Sequence, residues 1–170
     1  GERVLILGAC GSIGAHAVQI AKSLVAHVTA VDRGAKADFA ARLGADEFID
    51  YERDDFTRRE ARWDVIFDMV PTSNYAACVA KLNPRGRYLC GNPRLSWMLR
   101  SIVTNRFSDR SASFAFAPET RDDLVELTRM IEAGEVVSIV DRVLPLQEAA
   151  AAHRLVETEA RIGAIVLAHG

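Results

Sequence analysis

Residues 4–14 read VLILGACGSIG. Four apolar residues, Val4 to Leu7, run into Gly8, Gly11 and Gly14 at three-residue spacing. The apolar run is the pattern of a strand buried on both faces. From residue 12 the pattern changes to a helical one, with Ile13, Ala17, Ile20, Ala21 and Leu24 recurring along 12–25. A strand, a glycine turn and a helix, with an acid ending the next strand, are the signature of a dinucleotide-binding corner. That acid is Asp32, at the end of HVTAVD, residues 27–32. Gly8 suits the tight turn, Gly11 lets backbone approach a pyrophosphate, and Gly14 lets the helix pack close to the sheet. The N–H groups opening the helix then point at the phosphates with the helix dipole behind them. Ser12 adds a hydroxyl donor, so Gly8, Gly11, Ser12, Ile13 and Gly14 are candidate cofactor contacts. Two other readings stay open: a mere strand–helix corner, and an S-adenosylmethionine-type adenosine site, which uses the same turn and acid.

The pattern repeats outward. Residues 46–51, 63–70 and 86–91 read as further strands. Residues 35–44, 73–82 and 95–105 read as helices, while the polar stretch 52–62 predicts an exposed loop or short helix. Strands alternating with helices imply βαβ units, and right-handed crossovers make a doubly wound parallel sheet the expected α/β (Rossmann) fold. About six strands with helices on both faces follow from this count. The last third is less regular. Residues 111–117 alternate like an edge strand, and 118–135 carry helix start and stop signals. Residues 138–146 read as a strand that Pro145 confines to an edge or an end. A helix over 147–160 and a strand over 163–168 close the chain.

Composition narrows the partners. Of 170 residues, 49% are apolar and 26% charged, the balance of a globular protein. A formal net charge of −2 offers no basic surface for nucleic acid or membrane. No apolar run approaches the roughly 18–20 residues of a membrane span. Cys10, Cys78 and Cys90 are odd in number and widely spaced, without a Cys-x-x-Cys pair. They predict reduced, buried thiols in a cytoplasmic protein rather than disulfides or a zinc site.

With these segments in order, GERVLILGACGSIGAHAVQIAKSLVAHVTAV, LGADEFIDY, WDVIFDMV and LNPRGRYLCG, the chain resembles the medium-chain dehydrogenase/reductase superfamily. It is most similar to the zinc-independent, quinone oxidoreductase-like members, and VDRVLPLQEAAAAHRLVETEARIGAIVL is similar to their closing segment. The resemblance implies that residues 1–170 are one NAD(P)-binding domain, with the GroES-like catalytic domain that precedes it in the family absent from this chain. It implies hydride transfer to or from a carbonyl, quinone or enone substrate in the full-length enzyme. The isolated domain is expected to be inactive alone. A homodimer through the 111–117 strand is expected, because the family pairs an edge strand there across a two-fold axis. A second, different reading is a non-catalytic NAD(P)-sensing or interaction module.

Three positions depart from the family. Val25 stands where a glycine is usual after the first helix, Arg85 replaces the first glycine of Pro-Gly-Gly, and Ser12 replaces the second glycine of the turn's pair. Val25 and Arg85 put local turn geometry in question if φ is positive there.

The cofactor is NADP(H) or NAD(H), and the residues pull both ways. Asp32 suits the ribose hydroxyls of NAD(H) and repels a 2′-phosphate. Arg33 next to it suits a phosphate. Lys36 and Tyr51 match positions that contact the 2′-phosphate in similar NADPH-dependent enzymes. Three groups against one give a slight lean to NADP(H). The nicotinamide is expected beyond strands four and five, against Met69, Val70, Pro71, Gly91 and Asn92.

No catalytic set is visible. Tyr51, Tyr75 and Tyr88 lack a lysine four residues on, which excludes a Tyr-x-x-x-Lys mechanism. His16, His27, His153 and His169 are scattered, so no metal ligands are nominated. His16 reads as a helix-surface residue. Asp64 and Asp68 flank strand four without an assignable partner.

Overall fold

The computed structural model describes residues 1–114, 120–158 and 161–169. Strands Arg3–Leu7 (β1), His27–Asp32 (β2), Glu47–Asp50 (β3), Trp63–Asp68 (β4), Leu82–Cys90 (β5) and Ser111–Phe114 (β6) form one sheet in the order β3-β2-β1-β4-β5-β6. Every neighbouring pair in it is parallel. Helices Ser12–Ser23 (α1), Ala37–Arg42 (α2), Tyr75–Ala80 (α3) and Leu95–Phe107 (α4) lie in the crossovers. This is the doubly wound α/β sheet that the alternating sequence pattern predicts.

Side-chain alternation along the strands feeds two cores. Val4 and Ile6 of β1 join Val28 and Ala30 of β2 beneath Ala15 and Val18 of α1 and Phe39 and Ala40 of α2. Leu5 and Leu7 face the other way, with Ile49, Ile66 and Tyr88, against Tyr75 and Cys78 of α3 and Trp97 of α4. Both faces of the central strands are therefore covered, which explains why β1 reads as a continuous apolar run. Each fully buried side chain of this size contributes about 1.5–3 kcal/mol.

Boundaries shift where local chemistry decides them. The helix expected over 73–82 is Tyr75–Ala80, capped by the Asn74 side chain, which accepts the Ala77 N–H at 3.2 Å. The strand expected over 86–91 begins at Leu82, with a register shift between Trp63 and Val65 opposite its kink. The 52–62 stretch holds one short 3-10 turn, Phe56–Arg58, opened by Asp55 accepting the Thr57 N–H. Of the strand expected over 111–117, residues 115–117 lie outside the described residues.

The last third adds helix Arg121–Glu132 (α5), strand Val140–Pro145 (β7), helix Ala149–Glu157 (α6) and strand Ala164–Ala168 (β8). Thr120 caps α5 by accepting the Asp123 N–H at 3.2 Å. β7 and β8 do not extend the main sheet; they pair in parallel with each other. Pro145 ends β7, where its missing N–H costs no ladder bond.

Two helices end in the same way with different residues. After α1, Ala26 N–H reaches Ala21 O at 3.0 Å and Val25 N–H reaches Lys22 O at 2.9 Å. After α2, Ala45 and Gly44 make the equivalent bonds to Ala40 and Ala41. Both are Schellman closures, whose penultimate residue needs a positive φ. Gly44 adopts φ +96° at no steric cost, whereas Val25 is held at φ +59°. Arg85, at φ +63°, is the other non-glycine with a positive φ among the described residues. Two of the three departures from the family pattern, Val25 and Arg85, are thus the non-glycine positive-φ positions among the described residues.

Candidate dinucleotide site

The sheet order reverses between β1 and β4, so a crevice opens past their carboxyl ends. A cleft of about 540 Å³ occupies this place. Gly8, Gly11, Ser12, Ile13, Gly14, Asp32, Lys36, Tyr51, Met69, Val70, Pro71 and Asn92 all line it. Arg33 and Gly91 do not. The Arg33 Nε–H donates to the Tyr51 hydroxyl at 2.9 Å. Gly91 lies behind Met69, whose sulfur would stand 2.5 Å from a Cβ at that position.

The three turn glycines differ in what the fold asks of them. Gly8 has φ +74° and makes the turn. A Cβ on Gly14 would stand 2.1 Å from the Gly8 carbonyl oxygen, so helix and turn can approach only without a side chain there. Gly11 has neither constraint. Its φ is −74°, and a Cβ would meet nothing closer than the Gly8 oxygen at 3.5 Å. The space that a side chain on Gly11 would fill belongs to the cleft. Gly11 is also the N-cap of α1, no side chain caps that helix, and no acid lies in its first turn. An open cradle beneath uncapped N–H groups fits a bound phosphate. His16, one turn on, is engaged through Nδ1 with the Ser12 carbonyl at 2.6 Å.

Asp32 is buried and fully engaged. Its Oδ2 accepts the Cys10 N–H at 2.9 Å, and its Oδ1 accepts the Arg33 N–H at 2.9 Å. The Lys36 Nζ sits 3.0 Å from the same Oδ1. The carboxylate thus ties the glycine turn to the end of β2. Burial, with the Asp32 charge adding to it, pushes the Cys10 thiol up to about 12, so it stays protonated.

The opposite wall is the 69–73 loop, and Asp68 at the end of β4 fixes it. Its Oδ1 accepts the Val70 N–H and the Ser73 hydroxyl, each at 2.9 Å, and its Oδ2 accepts the Tyr88 hydroxyl at 2.6 Å. Burial raises its carboxyl above the usual range, and these three donors oppose the rise. The Asn92 amide donates to the Met69 carbonyl and Arg94 to the Pro71 carbonyl, both at 3.0 Å. Asp64, at the other end of β4, accepts the Arg3 N–H and the Asn83 amide, each at 2.8 Å. Both acids that lacked partners in the sequence are therefore structural anchors.

Sequence reasoning missed Asp54, Asp55, Phe56, Thr72, Ser73, Val156 and Arg161, which also line the cleft. Arg161 arrives from the far end of the chain because Gly163 N–H bonds the Cys10 carbonyl at 2.9 Å. Its Nε is buried without a partner, and its Nη1 donates to the Gly163 carbonyl. No local pattern marks such a residue, since only the fold brings the 161–163 segment to the glycine turn.

Among the described residues, no three or more His, Cys, Asp or Glu side chains are grouped to hold a metal ion, so no metal step is derived. Among them, too, no helix is long and apolar enough to cross a membrane.

A family profile described as zinc-binding dehydrogenase matches residues 43–167. The chain is 30% identical over 185 aligned residues to the mitochondrial NAD(P)H oxidoreductase RTN4IP1 of Bos taurus, covering 92% of this chain and 45% of that protein. It is 28% identical over 164 residues to the trans-enoyl reductase pgmF of Aspergillus terreus, covering 87% of this chain and 46% of that one. The solved quinone oxidoreductase from Coxiella burnetii superposes with a TM-score of 0.86 at 24% identity, over 98% of this chain and 52% of that chain, which speaks for the fold. This chain thus spans about half the length of the curated relatives it matches. On the profile match and the relatives together, the chain belongs to the zinc-binding dehydrogenase family of medium-chain dehydrogenases/reductases, as its quinone oxidoreductase-like nucleotide-binding part.

Proposed function

We propose that this chain is the dinucleotide-binding domain of an NAD(P)H-dependent oxidoreductase, acting in the full-length enzyme on a carbonyl, quinone or enone substrate. The observation that carries this reading is Gly11: it lines the cleft at the N-cap of a helix with no side-chain cap, and neither φ nor a clash requires glycine there. When bound, the nicotinamide supplies the hydride chemistry. The chain's own residues bind and orient it. The amides of Ser12, Ile13 and Gly14 face the diphosphate, Asp32, Arg33, Lys36 and Tyr51 border the adenosine ribose, and the 69–73 loop with Asn92 and Gly91 behind it walls the nicotinamide. On this proposal the reducible group is the substrate's, and the pocket and proton donor for it come from the GroES-like half that the family supplies in the full-length enzyme.

The finer reading is NADP(H) rather than NAD(H), since Arg33, Lys36 and Tyr51 gather around the end of β2 beside Asp32. A cytoplasmic setting remains part of the proposal and accords with three buried, unpaired thiols. A homodimer through β6 is the proposed assembly, because among the described residues β6 ends the six-stranded sheet and pairs with β5 alone. Light scattering that finds a monomer at high protein concentration removes the dimer.

Calorimetric titration with NADPH, NADH and S-adenosylmethionine tests the function. The expected result is binding of a dinucleotide and no heat with S-adenosylmethionine. Binding of S-adenosylmethionine alone would overturn the reading. Dinucleotide binding by a full-length protein that lacks any reductase activity would favour the sensing module.

A further inference from the structure

We infer that Asp68 sets the balance between oxidised and reduced dinucleotide, as a buried negative charge behind the nicotinamide wall. The inference deepens the dinucleotide reading above and rests on it. Two carboxylates are buried at the strand ends that open onto the cleft: Asp32 is 4% exposed and Asp68 0%. The fold treats them differently. Asp32 has the Lys36 Nζ at 3.0 Å. Asp68 is held by neutral donors, the Val70 N–H, the Ser73 hydroxyl and the Tyr88 hydroxyl. Among the described residues it enters no ion pair. The Cys78 and Cys90 thiols nearby are both raised by burial and stay neutral. The Tyr75 ring stands edge-on to Tyr88 at 5.4 Å, which fixes the donor that Asp68 accepts. Of the cations about the cleft, Lys36 is spent on Asp32, Arg94 is exposed and donates to the Pro71 carbonyl, and Arg161 donates to the Gly163 carbonyl. A buried charge without a counter-ion costs stability that hydrogen bonds only partly offset. A neutral acceptor could hold the Val70 N–H without that cost, so anchoring the loop leaves the charge itself unexplained. The charge has its counterpart across the wall. Val70 and Ser73, which hold Asp68, line the cleft where the nicotinamide is placed. The reduced ring is neutral. Transfer of a hydride, one proton with two electrons, to the substrate carbon leaves the ring with one formal positive charge, while the substrate takes its proton from the half outside this chain. A fixed negative charge behind the wall attracts the cationic ring and is indifferent to the neutral one, and burial keeps water from screening it. Asp68 therefore tightens the oxidised cofactor relative to the reduced one, which makes the bound reduced form a stronger hydride donor.

Dissociation constants for NADP⁺ and NADPH, measured at pH 8 on the full-length wild type, Asp68→Asn and Tyr88→Phe, separate the charge from the loop it anchors. A loosened loop alone weakens both forms alike and leaves the NADP⁺-to-NADPH ratio of dissociation constants where it was. Asp68→Asn is expected to raise that ratio about 10-fold, the order of effect of one enclosed charge across a layer of side chains. Tyr88→Phe keeps the charge and removes a donor that partly neutralises it, so the ratio is expected to fall about 2-fold. A ratio unmoved by Asp68→Asn overturns the inference. So does a rise in Tyr88→Phe like that in Asp68→Asn, which would assign the effect to the loop. Should Asp68→Asn fail to melt cooperatively, Tyr88→Phe carries the test: a fall supports the inference, and an unchanged or raised ratio overturns it. A wild type that binds neither form of the dinucleotide would bring down the functional reading itself, a failure distinct from any change of ratio.

Discussion

Leu82 and Val143 are both apolar strand residues, and the fold treats them in opposite ways. Leu82 in β5 is 0% exposed, whereas Val143 in β7 is 59% exposed. The difference extends to their regions. The central strands β1 and β2 are covered on both faces by helices of the sheet region. Beyond residue 114, the buried hydrophobics among the described residues are Met130, Val136 and Ala152, while Leu124, Val125, Ile131 and Val140 stand in solvent. The sheet region builds a closed core although α4 leaves Leu95, Leu99, Ile102 and Phe107 exposed; the last third buries far fewer of its apolar side chains. The cleft follows the first region, which supplies its lining except for Val156 and Arg161.

The largest expected effect breaks or confirms that contrast. Leu82→Ala should cost about 2–5 kcal/mol in chemical denaturation, because it opens a cavity in a closed core. Val143→Ala should stay within about 0.5 kcal/mol. Equal costs would mean that the last third is packed as tightly as the sheet.

Next come the turn glycines, where the same substitution should act on different quantities. Gly14→Val drives a side chain into the Gly8 carbonyl and should cost about 3 kcal/mol or more, seen as a lower melting temperature. Gly11→Val meets no such clash and should cost only about 1 kcal/mol, since valine is a poorer N-cap than glycine. It should weaken dinucleotide binding about 10-fold or more, since the added carbons occupy the phosphate's place.

Smaller is the relief of strain at the end of α1. Val25→Gly should stabilise by about 0.5–1 kcal/mol, the left-handed penalty of about 1–2 kcal/mol being partly offset by glycine's greater freedom when unfolded. An unchanged melting temperature would show that the two helix closures are equivalent despite Val25 and Gly44.

Smallest is a pH effect at β4. The Arg3 N–H and the Asn83 amide hold the Asp64 carboxyl below its usual range. A depressed folded value means stability present above the unfolded value and lost as pH falls through the folded one. Asp68 has the opposite sign: its raised value makes its contribution decline as pH rises through it. Asp64→Asn should therefore flatten the acid side of the stability profile, followed by melting at pH 3–7 (about the range where carboxyls titrate).

Much of this was legible beforehand, for reasons the residues make plain. The β1–α1–β2 unit is local: apolar run, glycine spacing and Asp32 lie within one short segment, so pattern and fold coincide. Strain at Val25 and Arg85 was readable because a helix end and a Pro-x-Gly corner constrain φ locally. What escaped depends on distance in sequence. The partners of Asp64 and Asp68, the ion pair that occupies Lys36, and the arrival of the 161–163 segment at the glycine turn are tertiary facts. The separation of β7 and β8 from the main sheet was also hidden, since a parallel pair reads alike in any sheet. Arg33 stands outside the cleft lining yet donates to the Tyr51 hydroxyl that borders it, a pairing across 18 residues that no local pattern shows.

The central claim is that the glycine turn holds a dinucleotide through the open N-terminus of α1. Backbone amide NMR during NADPH titration tests it most directly. The account predicts that the amides of Gly11, Ser12, Ile13 and Gly14 shift first and most, with those of the 69–73 loop following. Shifts confined to α4 or β7, with the turn silent, would contradict it.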